Sequence, residues 1–138
     1  MKPESRSPPP RWAFVTLMAA AIYNLAWGAF VVVSPLTMFQ WADMTPPNYV
    51  SLWQCIGMIV GVYGIGYAIA AFDPVRHWPI VLVGLLGKVF GPIGFLLSAS
   101  RGELPWHAGG TILTNDLIWW IPFVNLLIHA WRHRSRSV

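Results

Sequence analysis

Four apolar stretches dominate the chain, and each is about as long as a bilayer's hydrocarbon core is thick. They cover residues 12–33, 49–72, 79–98 and 111–131. A helix of about 20 residues crosses this core of roughly 30 Å, and lipid forces such a segment to be helical because it offers the backbone no hydrogen-bond partners. The pattern predicts an all-α fold: a four-helix transmembrane bundle in which residues 12–131 form a single membrane domain.

Composition supports a membrane protein over a water-soluble one. Of 138 residues, 56% are apolar and only 10% are charged, which is more apolar than a soluble domain of this size requires. The first stretch follows basic residues, as a signal peptide does. Its apolar run exceeds the roughly 7–15 residues of a signal sequence and has no convincing cleavage site, so we expect a retained span.

Basic residues predict the topology. Both tails are basic, the 73–78 loop carries Arg76, and the 34–48 loop has neither Lys nor Arg. Because positive residues favour the cytoplasmic side, we expect both termini in the cytoplasm and a multi-pass protein of the inner, cytoplasmic membrane. The tails, a disordered 1–11 and a basic 132–138, are expected to contact the lipid bilayer rather than nucleic acid.

The segment between Pro35 and Pro46 is long for a tight turn and mixes apolar and polar residues. Two interpretations are open. It is either a connecting loop that lies on the headgroups or a short interfacial helix on the outer side that caps the bundle.

Small residues recur at helical spacing in the first three spans, which favours close helix packing. These residues are Thr16, Ala20, Asn24 and Gly28 in the first span, Gly57, Gly61 and Gly64 in the second, and Gly84, Gly87, Gly91 and Gly94 in the third.

Polar side chains lie on the same stripes. Asn24, Gln54 and Lys88 should face inward together, and Asp116 follows in the fourth span. At about 1.5 Å per residue, Gln54 and Asp116 lie about 7 Å from the outer end, Asn24 about 13 Å and Lys88 about 15 Å. A charged group this deep costs several kcal/mol unless it is paired, so Lys88 is the leading candidate for function.

Two prolines lie near this cluster. Pro92 lacks an N–H and so frees the carbonyl of Lys88, and Pro122 does the same for Ile118. Asp116, next to Asn115, is the natural counter-ion of Lys88. The pair is either a structural ion pair that orders the bundle or a ligand-binding or chemical centre.

Aromatic residues complete the candidate set. Tyr23, Tyr63 and Tyr67 are expected to line the same interior, mostly as packing and hydrogen-bonding residues, with Trp119 or Trp120 as an aromatic wall. The four histidines place no pair across the bundle at mid-depth, and the lone Cys55 allows no cysteine-based site, so we expect no metal site and no cofactor. The candidate ligand-binding residues are Asn24, Gln54, Tyr63, Lys88, Asn115, Asp116 and Trp119, and the candidate catalytic residues are Lys88 and Asp116.

The segments WQCIGMIVGVYGIGYAIAAFDPVRHWPIVLVGLLGKVFGPIGF and TNDLIWWIPF resemble small uncharacterised bacterial four-helix membrane proteins. The resemblance covers roughly residues 20–128. The overall plan is also similar, more loosely, to DoxX-like proteins, although no DoxX motif matches residue by residue. Neither resemblance implies a reaction. The residues that carry it are Trp53, Gln54, Gly57, Arg76, His77, Trp78, Lys88, Gly91, Pro92, Asn115, Asp116 and Trp119.

Three functions remain open from the sequence. The first is binding of a small amphipathic or lipidic ligand in a polar intramembrane pocket around Lys88. The second is a membrane enzyme for a lipid, quinone or sterol-like substrate, with Lys88 and Asp116 in proton transfer and Tyr63 assisting. The third is a structural subunit of a homo-oligomer or a larger membrane complex.

Overall fold

A computed structural model describes residues 8–134 of the chain, and within this range the fold is entirely helical. The prediction of an all-α fold is therefore confirmed. The predicted tails 1–11 and 132–138 fall largely outside the described residues, so their disorder and contacts stay predictions. The helices are α1 (Arg11–Val33), α2 (Thr37–Trp41), α3 (Val50–Phe72), α4 (Trp78–Ser100), α5 (Gly110–Ile112) and α6 (Ile118–Arg134).

Four segments of the described range are long and apolar enough to cross a membrane. Three of them are α1, α3 and α4, with 23 residues each, or about 35 Å of helix. The fourth runs through Trp106–Arg134 and combines several helix types. Large apolar side chains such as Val62 and Ile121 point outward, as expected where lipid surrounds the protein. The chain has the build of a multi-pass membrane protein.

Helix α1 packs chiefly on α3, and glycine allows the two backbones to meet. A Cβ atom at Gly28 would lie 2.5 Å from the carbonyl oxygen of Gly57 and 2.9 Å from the amide nitrogen of Gly61. No side chain fits there, because the obstructing atoms belong to backbone. The close approach predicted from the small-residue spacing is present at this interface.

Helices α4 and α6 form the second closely packed pair, and aromatic side chains join it to the first. Tyr67 of α3 packs edge-on against Phe123 of α6, with ring centroids 5.2 Å apart. The hydroxyl of Tyr67 lies against Gly84 of α4, where a Cβ atom would have no room. The core of the bundle thus joins α3, α4 and α6 around one buried tyrosine.

A short helix, α2, occupies the segment between the first two long helices. Its Phe39 packs on Trp53 of α3, with ring centroids 5.3 Å apart, and its Trp41 stacks on Phe30 of α1. Nε2 of His107 lies 2.7 Å from the carbonyl oxygen of Ala42, just beyond α2. The helical alternative for this segment is therefore confirmed, and its place at the membrane interface stays a prediction.

Substituting Gly28 by alanine is expected to loosen the α1–α3 pair. The new methyl group meets backbone of α3, and overpacking of this kind costs about 1–3 kcal/mol. Gly61→Ala is the matched control, since a Cβ atom at Gly61 would have no neighbour within 4 Å. The free energy of unfolding in detergent measures both. Equal stability of Gly28→Ala and Gly61→Ala would contradict the close backbone contact.

Candidate functional site

Three polar residues are buried in the bundle within residues 8–134. Asn24 of α1 is 4% exposed, Lys88 of α4 is 5% exposed, and Asp116, just before α6, is 8% exposed. Ionisable groups inside a membrane domain are rare and mark a candidate functional site. Lys88 and Asp116 are therefore the starting point for the site.

Lys88 lies on the inward face of α4, in line with Gly84 and Pro92. Its Nζ donates a hydrogen bond of 2.6 Å to the carbonyl oxygen of Asn115. The same Nζ lies 5.7 Å from the centroid of the Trp119 ring, a cation–π distance. An ammonium group has three donors, and within the described residues Nζ uses one of them.

A π-helical stretch, Leu113–Leu117, presents the carbonyl that Lys88 uses. The wider π turn departs from the regular α-helical hydrogen-bond pattern, and such turns are frequent at functional sites. Two carbonyls of the stretch accept side-chain donors. The carbonyl of Asn115 accepts from Lys88, and that of Thr114 accepts from the indole nitrogen of Trp119 at 3.0 Å.

Pro92 frees the backbone carbonyl of Lys88, as the sequence predicts, because it has no N–H to donate four residues later. The structure shows what replaces that donor. The indole nitrogen of Trp120 donates to the carbonyl oxygen of Lys88 at 3.0 Å. Residue 88 is thus tied to the fourth span twice, through its side chain to Asn115 and through its backbone to Trp120.

Asp116 lies against α4 at Gly91. A Cβ atom at Gly91 would lie 3.5 Å from Oδ2 of Asp116, an ordinary contact distance, so the carboxylate lies beside the backbone of α4 at this glycine. Asp116 directly follows Asn115, whose carbonyl accepts from Lys88, so the carboxylate and the ammonium group lie in the same region of the bundle, and an ion pair between them stays a prediction. The structure thus brings Lys88, Asn115, Asp116 and Trp119 together, and we call these four residues the polar centre.

Gln54 is engaged elsewhere. Its Nε2 donates to the carbonyl oxygen of Val32, near the end of α1, at 2.8 Å. Tyr63 packs beside Tyr67, with ring centroids 6.3 Å apart. The contacts of Gln54 and Tyr63 therefore differ from those of the polar centre, and their proposed ligand-binding role stays a prediction.

Buried amide oxygens add unused acceptors to the interior. Within residues 8–134, Oδ1 of Asn24 and Oδ1 of Asn115 are buried and accept no hydrogen bond. On the neighbouring face of α1, the Tyr23 hydroxyl donates to Oγ1 of Thr114 at 3.2 Å. Since an unpaired buried polar group costs about 1–3 kcal/mol, the two amide oxygens are strong sites for a donor.

Sequence reasoning missed Thr114, which receives both Tyr23 and Trp119. It named Trp120 only as an alternative to Trp119 for an aromatic wall, and it missed that Trp120 donates to the Lys88 carbonyl. The signal for Trp120 was available, because a proline inside a span leaves a carbonyl that must find another donor. The signal for Thr114 was not, because it depends on the π-helical turn.

A shallow groove of about 300 Å³ lies away from the polar centre, lined by Leu127, Ile128, Trp131 and Arg132 of α6. It contains none of the candidate residues.

No protein-family model, curated protein or solved structure matches the chain. The polar centre is therefore identified by its geometry alone, and the resemblance to bacterial four-helix proteins stays a prediction.

Replacing Trp120 with phenylalanine is expected to destabilise the bundle by about 1–3 kcal/mol, because the buried carbonyl of Lys88 loses its donor. Adding Pro92→Ala should recover part of the loss, since alanine restores a backbone N–H for that carbonyl. Unfolding free energies of the two single variants and the double variant form a cycle that isolates this interaction. Purely additive effects would show that Trp120 does not serve the carbonyl. Trp106→Phe, at an exposed position, is the control for general loss of an indole.

Proposed function

We propose that this protein binds a small amphipathic or lipidic molecule within the membrane and holds the molecule's polar group at the polar centre. The observation that supports this most strongly is the state of Lys88. The residue is more than nine-tenths buried, yet in the described range its ammonium group donates one hydrogen bond only. A buried charge with spare donors has a strong tendency to bind a further acceptor.

The chemistry of the polar centre favours a ligand with a neutral polar group. Lys88 and Asp116 carry opposite charges, so together they balance. Lys88 offers spare donors, while the carboxylate of Asp116 and Oδ1 of Asn115 offer acceptors. A group that both donates and accepts hydrogen bonds, such as a hydroxyl or an amide, would satisfy both sides. The apolar remainder of the ligand would then lie among the lipid-facing side chains.

The exposed side of α4 provides the route by which such a ligand would reach the centre. Gly91 is exposed on that helix, and the carboxylate of Asp116 lies directly behind it. Because Gly91 has no side chain, α4 is narrow beside the carboxylate. Entry would therefore be sideways from the bilayer rather than along the bundle axis.

Substituting Lys88 by methionine is expected to abolish ligand retention while keeping an unbranched side chain that is one atom shorter. Intact-complex mass spectrometry of protein purified in mild detergent measures the retained molecule and gives its mass. Gln54→Leu is the matched control, because it removes a polar side chain from α3 that contacts Val32 instead of the polar centre. A wild-type chain that carries no small molecule, or a molecule that survives Lys88→Met, would overturn the proposal.

Two further variants separate loss of binding from loss of folding. Lys88→Met combined with Asp116→Asn leaves no buried charge unpaired, so it should fold better than Lys88→Met alone and still retain no ligand. Gly91→Leu should block the route while both charged residues remain. Gly94→Leu is its control, since Gly94 has no neighbour within 4 Å and lies on a different side of α4 from Lys88. Equal retention by Gly91→Leu and Gly94→Leu would contradict sideways entry.

We also propose that the chain lies in a cytoplasmic membrane with both ends inside. Four crossings return the chain to its starting side. Arg76 lies between α3 and α4, and Arg132 and Arg134 lie in the last turn of α6, so basic residues concentrate at the end of the bundle that we assign to the cytoplasm. In a Cys55→Ser background, the Asp43→Cys variant should react with an impermeant maleimide added to intact cells, and the Arg76→Cys variant should not. Labelling of Arg76→Cys but not of Asp43→Cys would show that the topology is the opposite of the one proposed.

A further inference from the structure

Two histidines lie close together at the far end of α6 from the polar centre. His129 and His133 are separated by four residues, which places both side chains on one face of the helix. Their ring centroids are 4.2 Å apart, with an angle of 68° between the planes. Asp116 is thirteen residues away along the fourth span, or about 20 Å, so this pair is independent of the proposed ligand site.

The spacing suits a shared metal ion. A neutral imidazole nitrogen binds Zn²⁺, Cu²⁺ and Ni²⁺ well, whereas Mg²⁺ and Ca²⁺ prefer oxygen. Two helical histidines four residues apart form the metal-binding element of HExxH zinc sites, because that spacing directs both nitrogens to the same side. Each zinc–nitrogen bond is about 2.0–2.1 Å long, and rings this close need only side-chain rotation to direct one nitrogen each at a common ion.

The two rings differ in how far they are exposed to solvent. His129 is partly buried, and Trp12 of α1 packs edge-on against it, with centroids 5.6 Å apart. His133 is exposed, so an ion can reach the pair from solution. Arg132 and Arg134 flank His133 in the last turn of α6, and the guanidinium of Arg134 lies over the Trp78 ring at 5.4 Å.

We infer that His129 and His133 together bind one divalent transition-metal ion of the Zn²⁺ class. Within residues 8–134 no cluster of three or more metal-ligating side chains exists, so water completes the coordination. Two protein ligands with open positions favour a moderate affinity and an ion that exchanges readily, in contrast to a structural zinc site with four protein ligands.

The test is a titration of the untagged full-length protein in detergent with ZnCl₂, followed by calorimetry, since a polyhistidine tag would itself bind the ion. We expect one ion per chain in the wild type. His129→Ala and His133→Ala should each raise the dissociation constant at least about tenfold, because losing a ligand should cost no less than losing a supporting group around one. MgCl₂ should give no binding.

His107→Ala is the matched control and should bind Zn²⁺ as the wild type does. Nε2 of His107 lies 2.7 Å from the carbonyl oxygen of Ala42, beyond the end of α1 that is opposite to Trp12, which packs on His129. Thermal unfolding without metal checks that His129→Ala and His133→Ala still fold, and the exposed position of His133 makes its variant the decisive one. Absence of binding in the wild type, wild-type affinity in His133→Ala, or loss of binding in His107→Ala would each overturn the inference.

Discussion

Hydrocarbon offers no hydrogen bonds, and the inner structure of this bundle follows from that constraint. Regular helix satisfies almost every backbone group along α1, α3 and α4. Pro92 breaks the pattern in α4, and the side chain of Trp120 replaces the missing donor. In the fourth span the irregular turn presents carbonyls that Lys88 and Trp119 use. At Pro92 and in this irregular turn, the departure from regular helix is thus compensated by a side chain from the same or a neighbouring helix.

The two helix pairs are held together by different interactions. Helices α1 and α3 meet through glycine, with backbone against backbone at Gly28 and Gly57, so dispersion and close fit hold them. Helix α4 meets the fourth span through directional contacts at Lys88. A glycine interface tolerates little change in shape. The hydrogen-bonded interface between α4 and the fourth span can exchange one hydrogen-bond partner for another. The polar centre therefore lies at the interface that is better able to rearrange.

The long helices could be predicted within a few residues because hydropathy and length determine them. The residues of the polar centre and their contacts were harder to predict. Lys88 and Asp116 were found because burying charge is costly, and a lysine side chain is long enough to bridge much of the difference between their predicted depths. Gln54 has the same predicted depth as Asp116, yet it bonds to Val32 instead, because periodicity identifies a face of a helix without identifying the partner. The π-helical turn was not predictable, since it depends on tertiary contacts and leaves no compositional trace.

The bond between Trp120 and the Lys88 carbonyl also has an evolutionary consequence. The indole is required at position 120 only while position 92 is a proline, which has no backbone N–H. If another residue replaced Pro92, its backbone N–H could bind the Lys88 carbonyl and Trp120 would no longer be needed. If Trp120 were lost while Pro92 remained, the Lys88 carbonyl would have no donor, and selection should act against that loss. Positions 92 and 120 should therefore be inherited as a unit, with proline paired to a hydrogen-bonding aromatic and non-proline residues paired to any side chain of suitable size.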